Sequence, residues 1–387
     1  MLNCGDFFKL NYEDNKKNFV MIKKGGYVDI HIKSESFEGK NIQRLLSSLH
    51  FVISTYKKAC RQIHITLDKF VPRDKLTYIL VECIIYALTT VYNYEVILSL
   101  KGSRTTIQTK GYSTSLLREY RRKNLSTDDF KKSFTHVQEG AHFRRVITAE
   151  DSGGEKIGMI MGELKTFFKV FDIQKEYVEQ IAVVVTELVD NCGDHTNTDC
   201  LVDIDVTDPI YQLKNSNDNS YYYGINIVVL NFSDKLLGTD MADKIENRLF
   251  AENARYDAVY EAYHNHMKFF SPDYVEEDFF NIVSFQDKIS GRKNETNSGG
   301  TGLTQLINSL EKNADNHSCY VLSGKRGIRF YPQYLEYNSD KWIGFNKSND
   351  FLHDRPSKNV IVESDTYFPG TAYNFTLIMK KGENNGK

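Results

Sequence analysis

TELVDNCGDHT, residues 186–196, follows the apolar run IAVVV and sets Glu187, Asp190, Asn191, Asp194 and His195 close together. Ile181, Val184, Val185 and Leu188 recur at i, i+3, i+4 and i+7, which predicts a helix with one buried stripe. At about 100° per residue, Glu187, Asn191 and Asp194 fall within an arc of roughly 60° on a neighbouring face. That row runs along the edge of a core, where a ligand wall would stand. A carboxylate one turn from an amide suits metal–nucleotide chemistry. The amide oxygen can ligate Mg²⁺ without adding charge, while the carboxylate orients or deprotonates a nucleophile. The same residues also read as the solvated end of an ordinary helix, with Gly193 as its stop.

Around this helix the second half of the chain takes shape. A first helix, IGMIMGELKTFFKVF (157–171), precedes it. Strand-like runs follow: LVDIDV (201–206), YYYGINIVVLNF (221–232), CYVLSG (319–324), IRFYPQ (328–333) and AYNFTLIM (372–379). One helix, LTQLINSLEKN (303–313), is inserted among them. This order indicates an α/β sandwich with helices on one face of a mixed sheet. Just before the inserted helix, TNSGGTGL brings Gly299, Gly300, Thr301 and Gly302 to a helix N-terminus. Glycines there let backbone N–H groups approach an anion, and the helix dipole favours negative charge. Simple loop flexibility is the other reading of the same turn. FPGTAYNFTLIM, near the end of the chain, has a Gly-Thr entering an alternating strand, as many turns do.

The first half reads as alternating elements. YVDIHI (27–32), QIHITL (62–67) and YEVILSL (94–100) have strand character, and two helical segments separate them. The β-α-β-α-β order predicts a small α/β layer with some parallel pairing. Residues 105–149 are dense in charge and short on sustained apolar periodicity, so they read as a helical connector holding the domain boundary. The expected units are an N-terminal domain over 1–104, the connector, a C-terminal domain over 150–380 and a polar tail over 381–387.

With 49 basic and 51 acidic residues the net charge is -2, and no strong nucleic-acid signal appears. None of the six cysteines forms a CxxC pair, as expected for reduced thiols in a cytoplasmic protein. The greasiest segment, YILVECIIYALTTVY, carries Glu82 and is too short to span a bilayer, so no membrane partner is expected.

An E-x-x-x-N helix, paired strands, a long variable loop, SGGTGL opening a helix and a closing Gly-Thr strand together resemble the GHKL ATPase superfamily. That group includes type II topoisomerases, heat-shock chaperones, histidine kinases and anti-sigma-factor kinases. The resemblance covers roughly residues 150 to 380 and is closest to the anti-sigma-kinase-like branch. It implies ATP and Mg²⁺ as cofactors, Glu187 as general base and Asn191 as the Mg²⁺ ligand. Asp194 and His195 extend the nucleotide site, and Gly299, Gly300, Thr301 and Gly302 form the phosphate cradle and hinge of an ATP lid. Thr371 matches the threonine that lies near the adenine. The family's D-x-G-x-G adenine box is altered to NFSDK, so Asn231 stands where an Asp is expected, with Asp234 as the fallback acceptor. Residues 240–298 form a large lid insert, expected to pack as a subdomain over the nucleotide. Lys293 and Arg292 are near enough to the glycines in sequence to reach a γ-phosphate, or to form a solvated loop pair. His264 and His266 lack companions at zinc spacing. The N-terminal pattern resembles STAS-like partner modules.

Three functions are compatible with the resemblance: an ATP-driven conformational switch with slow hydrolysis, an anti-sigma-type serine/threonine kinase, and a non-catalytic nucleotide-binding scaffold. A sensor histidine kinase fits poorly, because neither His136 nor His142 has an H-[ED]-x-R-x-P context. The partner is a separate protein or the chain's own N-terminal domain, and a homodimer is compatible with either.

Overall fold

The computed structural model describes residues 2–10, 12, 20–23, 26–56, 60–101, 116–117, 126–151, 155–207, 221–250, 253–290, 302–313 and 319–381. The N-terminal unit has four strands, β1 (Val20–Lys23), β2 (Tyr27–Ile32), β3 (Gln62–Leu67) and β4 (Glu95–Leu100), paired in that order. β2, β3 and β4 are parallel and β1 is antiparallel to β2. The period-two pattern of the three parallel strands buries one face of each. Helices α1 (Gly39–Tyr56) and α2 (Lys75–Thr90) pack against that buried face. Asp74 caps α2, its carboxylate accepting from Thr77 N–H at 2.8 Å.

Every residue of α2 from Lys75 to Thr89 is buried. A helix apolar all round must be covered all round, and a second sheet supplies the other cover. Its strands are β5 (His136–Glu139), β6 (His142–Ile147), β7 (Cys200–Val206), β8 (Tyr222–Phe232), β9 (Tyr320–Arg329) and β10 (Ile361–Lys380). The order is β5-β6-β7-β8-β10-β9, and every described pairing is antiparallel. Leu201, Val228, Leu230, Phe232, Leu322 and Ala372 point from this sheet into the core shared with α1 and α2. On its other face Val202, Ile204, Ile227, Val229, Tyr373 and Phe375 meet the C-terminal helices.

Three expectations are corrected here. The α/β class holds, but the second sheet is antiparallel rather than mixed. The helices α4 (Glu155–Phe168) and α5 (Lys175–Thr196) come as a pair between β6 and β7. A two-helix excursion returns the chain to the end it left, whereas a single crossover helix would give a parallel neighbour. Both sheet faces also carry helices, because the N-terminal unit covers the second one.

The connector is the second correction. Its described residues include a short helix, α3 (Thr127–Thr135), and then the β5–β6 hairpin, which belongs to the larger sheet. HFRRVI hides its strand character because its inward positions His142 and Arg144 are charged or titratable. Third, CYVLSG and IRFYPQ do not make two strands, since β9 runs from one into the other.

The insert contains α6 (Thr239–Glu246), α7 (Ala254–His266) and α8 (Glu276–Val283). Its Tyr256, Phe279 and Val283 share a continuous core with Phe330, Ile343 and Phe345 and with the helix layer. Arg326 of β9 grips Asp278 of α8 through two hydrogen bonds of 2.8 and 2.5 Å. α9 (Gly302–Asn313) lies against α5. Among the described residues no helix is long and apolar enough to cross a membrane.

Candidate functional site

The α5 stripe packs as its spacing predicts: Ile181, Val184, Val185 and Leu188 are all buried. Glu187 and Asn191, one turn apart, are half-buried at the edge of that stripe. The helix does not stop at Gly193. It continues to Thr196 and ends on Asn197 in a left-handed conformation (φ 50°, ψ 43°), whose N–H donates to Gly193 O at 3.0 Å. Asp194 and His195 therefore lie within the helix, with side chains outside the described set. Lys293, Arg292, Gly299, Gly300 and Thr301 also lie outside the described residues. Gly302 is the first residue of α9.

Asn231 and Thr371 are direct partners across β8 and β10, and Ser323 of β9 is the partner of Thr371 on the other side. All three follow the period of the sheet face that meets α5. Asn231 is 3% exposed and donates its amide N–H groups to Thr196 Oγ1 at 3.0 Å and Thr198 Oγ1 at 2.9 Å. It thereby ties the end of β8 to the end of α5. Ser323 donates to Gly370 O at 2.8 Å, lies 3.2 Å from Thr371 Oγ1, and accepts from Leu237 N–H at 2.9 Å. The result is a row of neutral hydroxyls and one amide at the rim of an apolar face. Such groups suit the polar edge of a heteroaromatic ring better than a phosphate.

Gly370 makes the close strand approach possible. Its φ is +131°, and a Cβ there would sit 2.1 Å from Asn231 O. Asp234 is not part of the row. It is exposed beyond the strand end, within electrostatic reach of Lys9 and Tyr367. Asn231 and Asp234 thus occupy different surroundings and are not interchangeable by a shift of register.

Cys200 is the partner of Asn231 on β7. A hydrogen bond with Cys192 and burial push its thiol well above the ordinary range, which leaves it a neutral packing group. All six cysteines are free and buried. His266 is core: Tyr274 Oη lies 2.7 Å from Nδ1, and Nε2 donates to Phe351 O at 2.8 Å. Burial lowers its pKa, so the ring is neutral and its tautomer is set by the carbonyl.

The chain matches no family model, no curated protein and no solved structure.

Sequence reading missed a buried ionic cluster on the opposite face of the sheet. Lys75 of α2 lies 2.5 Å from Asp203 of β7 and also pairs with Asp205. Arg144 of β6 bridges Asp203 and Glu82 of α2, and His142 Nε2 sits 2.9 Å from Asp203. Burial alone would raise the Asp203 carboxyl, but Arg144 and Lys75 hold it well below the usual carboxylate range. Burial raises Glu82 despite Arg144. The available signal was positional. Asp203 and Asp205 alternate within an otherwise apolar strand, and Lys75 and Glu82 are seven residues apart on a helix, so they share a face.

Proposed function

We propose that the C-terminal unit binds Mg·ATP in the GHKL manner and works as an ATP-driven conformational switch in the cytoplasm. The observation that carries this reading is the direct pairing of Asn231 with Thr371 at the sheet end tied to the end of α5. In the proposed site Asn231 and Thr371 meet the adenine, and Asn191 holds Mg²⁺. Glu187 orients the water that attacks the γ-phosphate, and the glycines before α9 cradle the phosphates. Hydrolysis of this kind rests on positioning and charge neutralisation more than on covalent chemistry.

A second reading, a non-catalytic nucleotide-binding scaffold, is favoured by Asn231. Its amide already donates to two threonines, which leaves it one carbonyl with which to accept from the exocyclic amine. Thermal unfolding with and without Mg·ATP tests both readings, since each requires a saturable rise in melting temperature. No rise would overturn nucleotide binding altogether. Phosphate release in the absence of any protein acceptor favours the switch over an anti-sigma-type kinase and over the scaffold.

A further inference from the structure

The carboxyl ends of the three parallel strands make a second polar cleft, remote in sequence from the α5 site. Ile32, Leu67 and Leu100 stand in one row across β2, β3 and β4. The next residue of each strand, Lys33, Asp68 and Lys101, lines a cavity of about 560 Å³, and Ser34, Glu35 and Lys69 complete it.

The loops around this cavity are fastened together. Asp68 N–H donates to Ile32 O at 3.0 Å, Phe37 N–H to Val71 O at 2.8 Å, and Phe70 N–H to Lys101 O at 3.3 Å. Ser34 Oγ donates to Asp68 O at 3.2 Å. Phe37 and Phe70 pack edge to face below them, 4.9 Å between centroids. Lys69 holds φ at 44°, a conformation that costs a side-chain-bearing residue free energy and persists where the surroundings enforce it. The cleft is therefore preformed.

Its charges are unevenly committed. Asp68 is hydrogen-bonded to His31 and lies 3.3 Å from Lys101, and Glu35 pairs with Lys69. Lys33 has no ion pair or side-chain hydrogen bond among the described residues. Three lysines thus face two carboxylates that are already paired. Lys101 is 61% exposed and can turn toward a ligand without giving up a buried contact. Among the described residues every side chain lining the cavity ends in a charged group or a hydroxyl. A compact oxyanion accepting from two ammonium groups fits this lining.

We propose that the N-terminal unit binds a small phosphate-bearing anion in this cleft, held by Lys33 and Lys101. The proposal is independent of the α5 reading. The test is calorimetric titration of the full chain with inorganic phosphate and, separately, glycerol phosphate, at ionic strength held constant with chloride. Saturable binding is expected, weakened on the order of tenfold in Lys33→Gln and in Lys101→Gln and retained in Lys33→Arg. Tighter binding of inorganic phosphate identifies a free-anion site, and tighter binding of glycerol phosphate identifies a phosphoester site. Lys33 is exposed, so Lys33→Gln should leave the melting temperature of the ligand-free chain unchanged, which separates loss of the site from loss of the fold. Absence of saturable heat with both anions, or unaltered affinity in Lys33→Gln, overturns the proposal.

Discussion

Lys75, the first residue of α2, lies 2.5 Å from Asp203 of β7, and both are shut off from solvent. This ion pair joins the N-terminal unit to the face of the larger sheet turned away from α5. Removing one partner of a buried pair strands the other charge in a low-dielectric interior. Asp203→Asn leaves Lys75 and Arg144 undercompensated and should destabilise the chain by about 3–5 kcal/mol, measured by urea unfolding. A change below about 1 kcal/mol would show that the cluster is not dry.

Acid should act through the same residue. Asp203 is held below its unfolded value, so its contribution is complete above about pH 3.9 and lost as pH falls through its folded pKa. Glu82 is raised by burial and works in the opposite sense, losing stability as pH climbs through its folded value. Acid titration of stability in wild type and Asp203→Asn should therefore diverge most above pH 3.9 and converge toward lower pH.

His266 makes a separate prediction nearer neutrality. Its folded pKa is lowered by burial, so the stability it contributes is full above about pH 6.5 and declines as pH falls through its folded value. His266→Gln should flatten the dependence of melting temperature on pH between neutral and mildly acidic conditions. An unchanged slope would mean that another group carries it.

Within the α5 site, Glu187→Ala is expected to cut turnover by on the order of a hundredfold or more while Mg·ATP affinity changes little. Asn191→Ala should instead lose the Mg²⁺ dependence of binding. Asn231→Asp should destabilise the chain by about 1–3 kcal/mol or more, because it buries a carboxylate beside Thr196, whose hydroxyl already donates to Cys192 O. In the proposed site it should also tighten ATP relative to GTP, and titration with both nucleotides reads this directly.

Gly370 and Gly140 separate conformation from contact. Both have positive φ, but a Cβ at Gly140 meets nothing within 4 Å, whereas one at Gly370 meets Asn231 O at 2.1 Å. Gly140→Ala should cost about 1 kcal/mol and Gly370→Ala on the order of 3 kcal/mol or more, compared by the same unfolding measurement.

Period and punctuation make much of the fold legible in the sequence. The three parallel strands, both N-terminal helices, α5 and α9 follow from apolar spacing alone. The β5–β6 hairpin did not, because His142 and Arg144 occupy inward positions where apolar residues are expected. Their partners, Asp203 and Glu82, lie far away in sequence and belong to other elements. Sheet direction was illegible for a related reason, since it depends on whether helices return singly or in pairs. Asn231 and Thr371 were singled out separately, but their pairing across two strands is a matter of register. Ser323, Thr196 and Thr198 carried no signal, because a hydroxyl at a strand or helix end is ordinary in sequence.

The burial of α2 on every side bears on how this chain can be divided. Its first hundred residues resemble a detachable module, yet they supply the floor on which Leu201, Val228, Leu230 and Phe232 rest. A chain cut near residue 125 would expose that apolar face together with Arg144 and Asp203 stripped of their helix partners. The two halves are therefore expected to fold as one cooperative unit. Urea unfolding followed by two different probes should give one coincident transition.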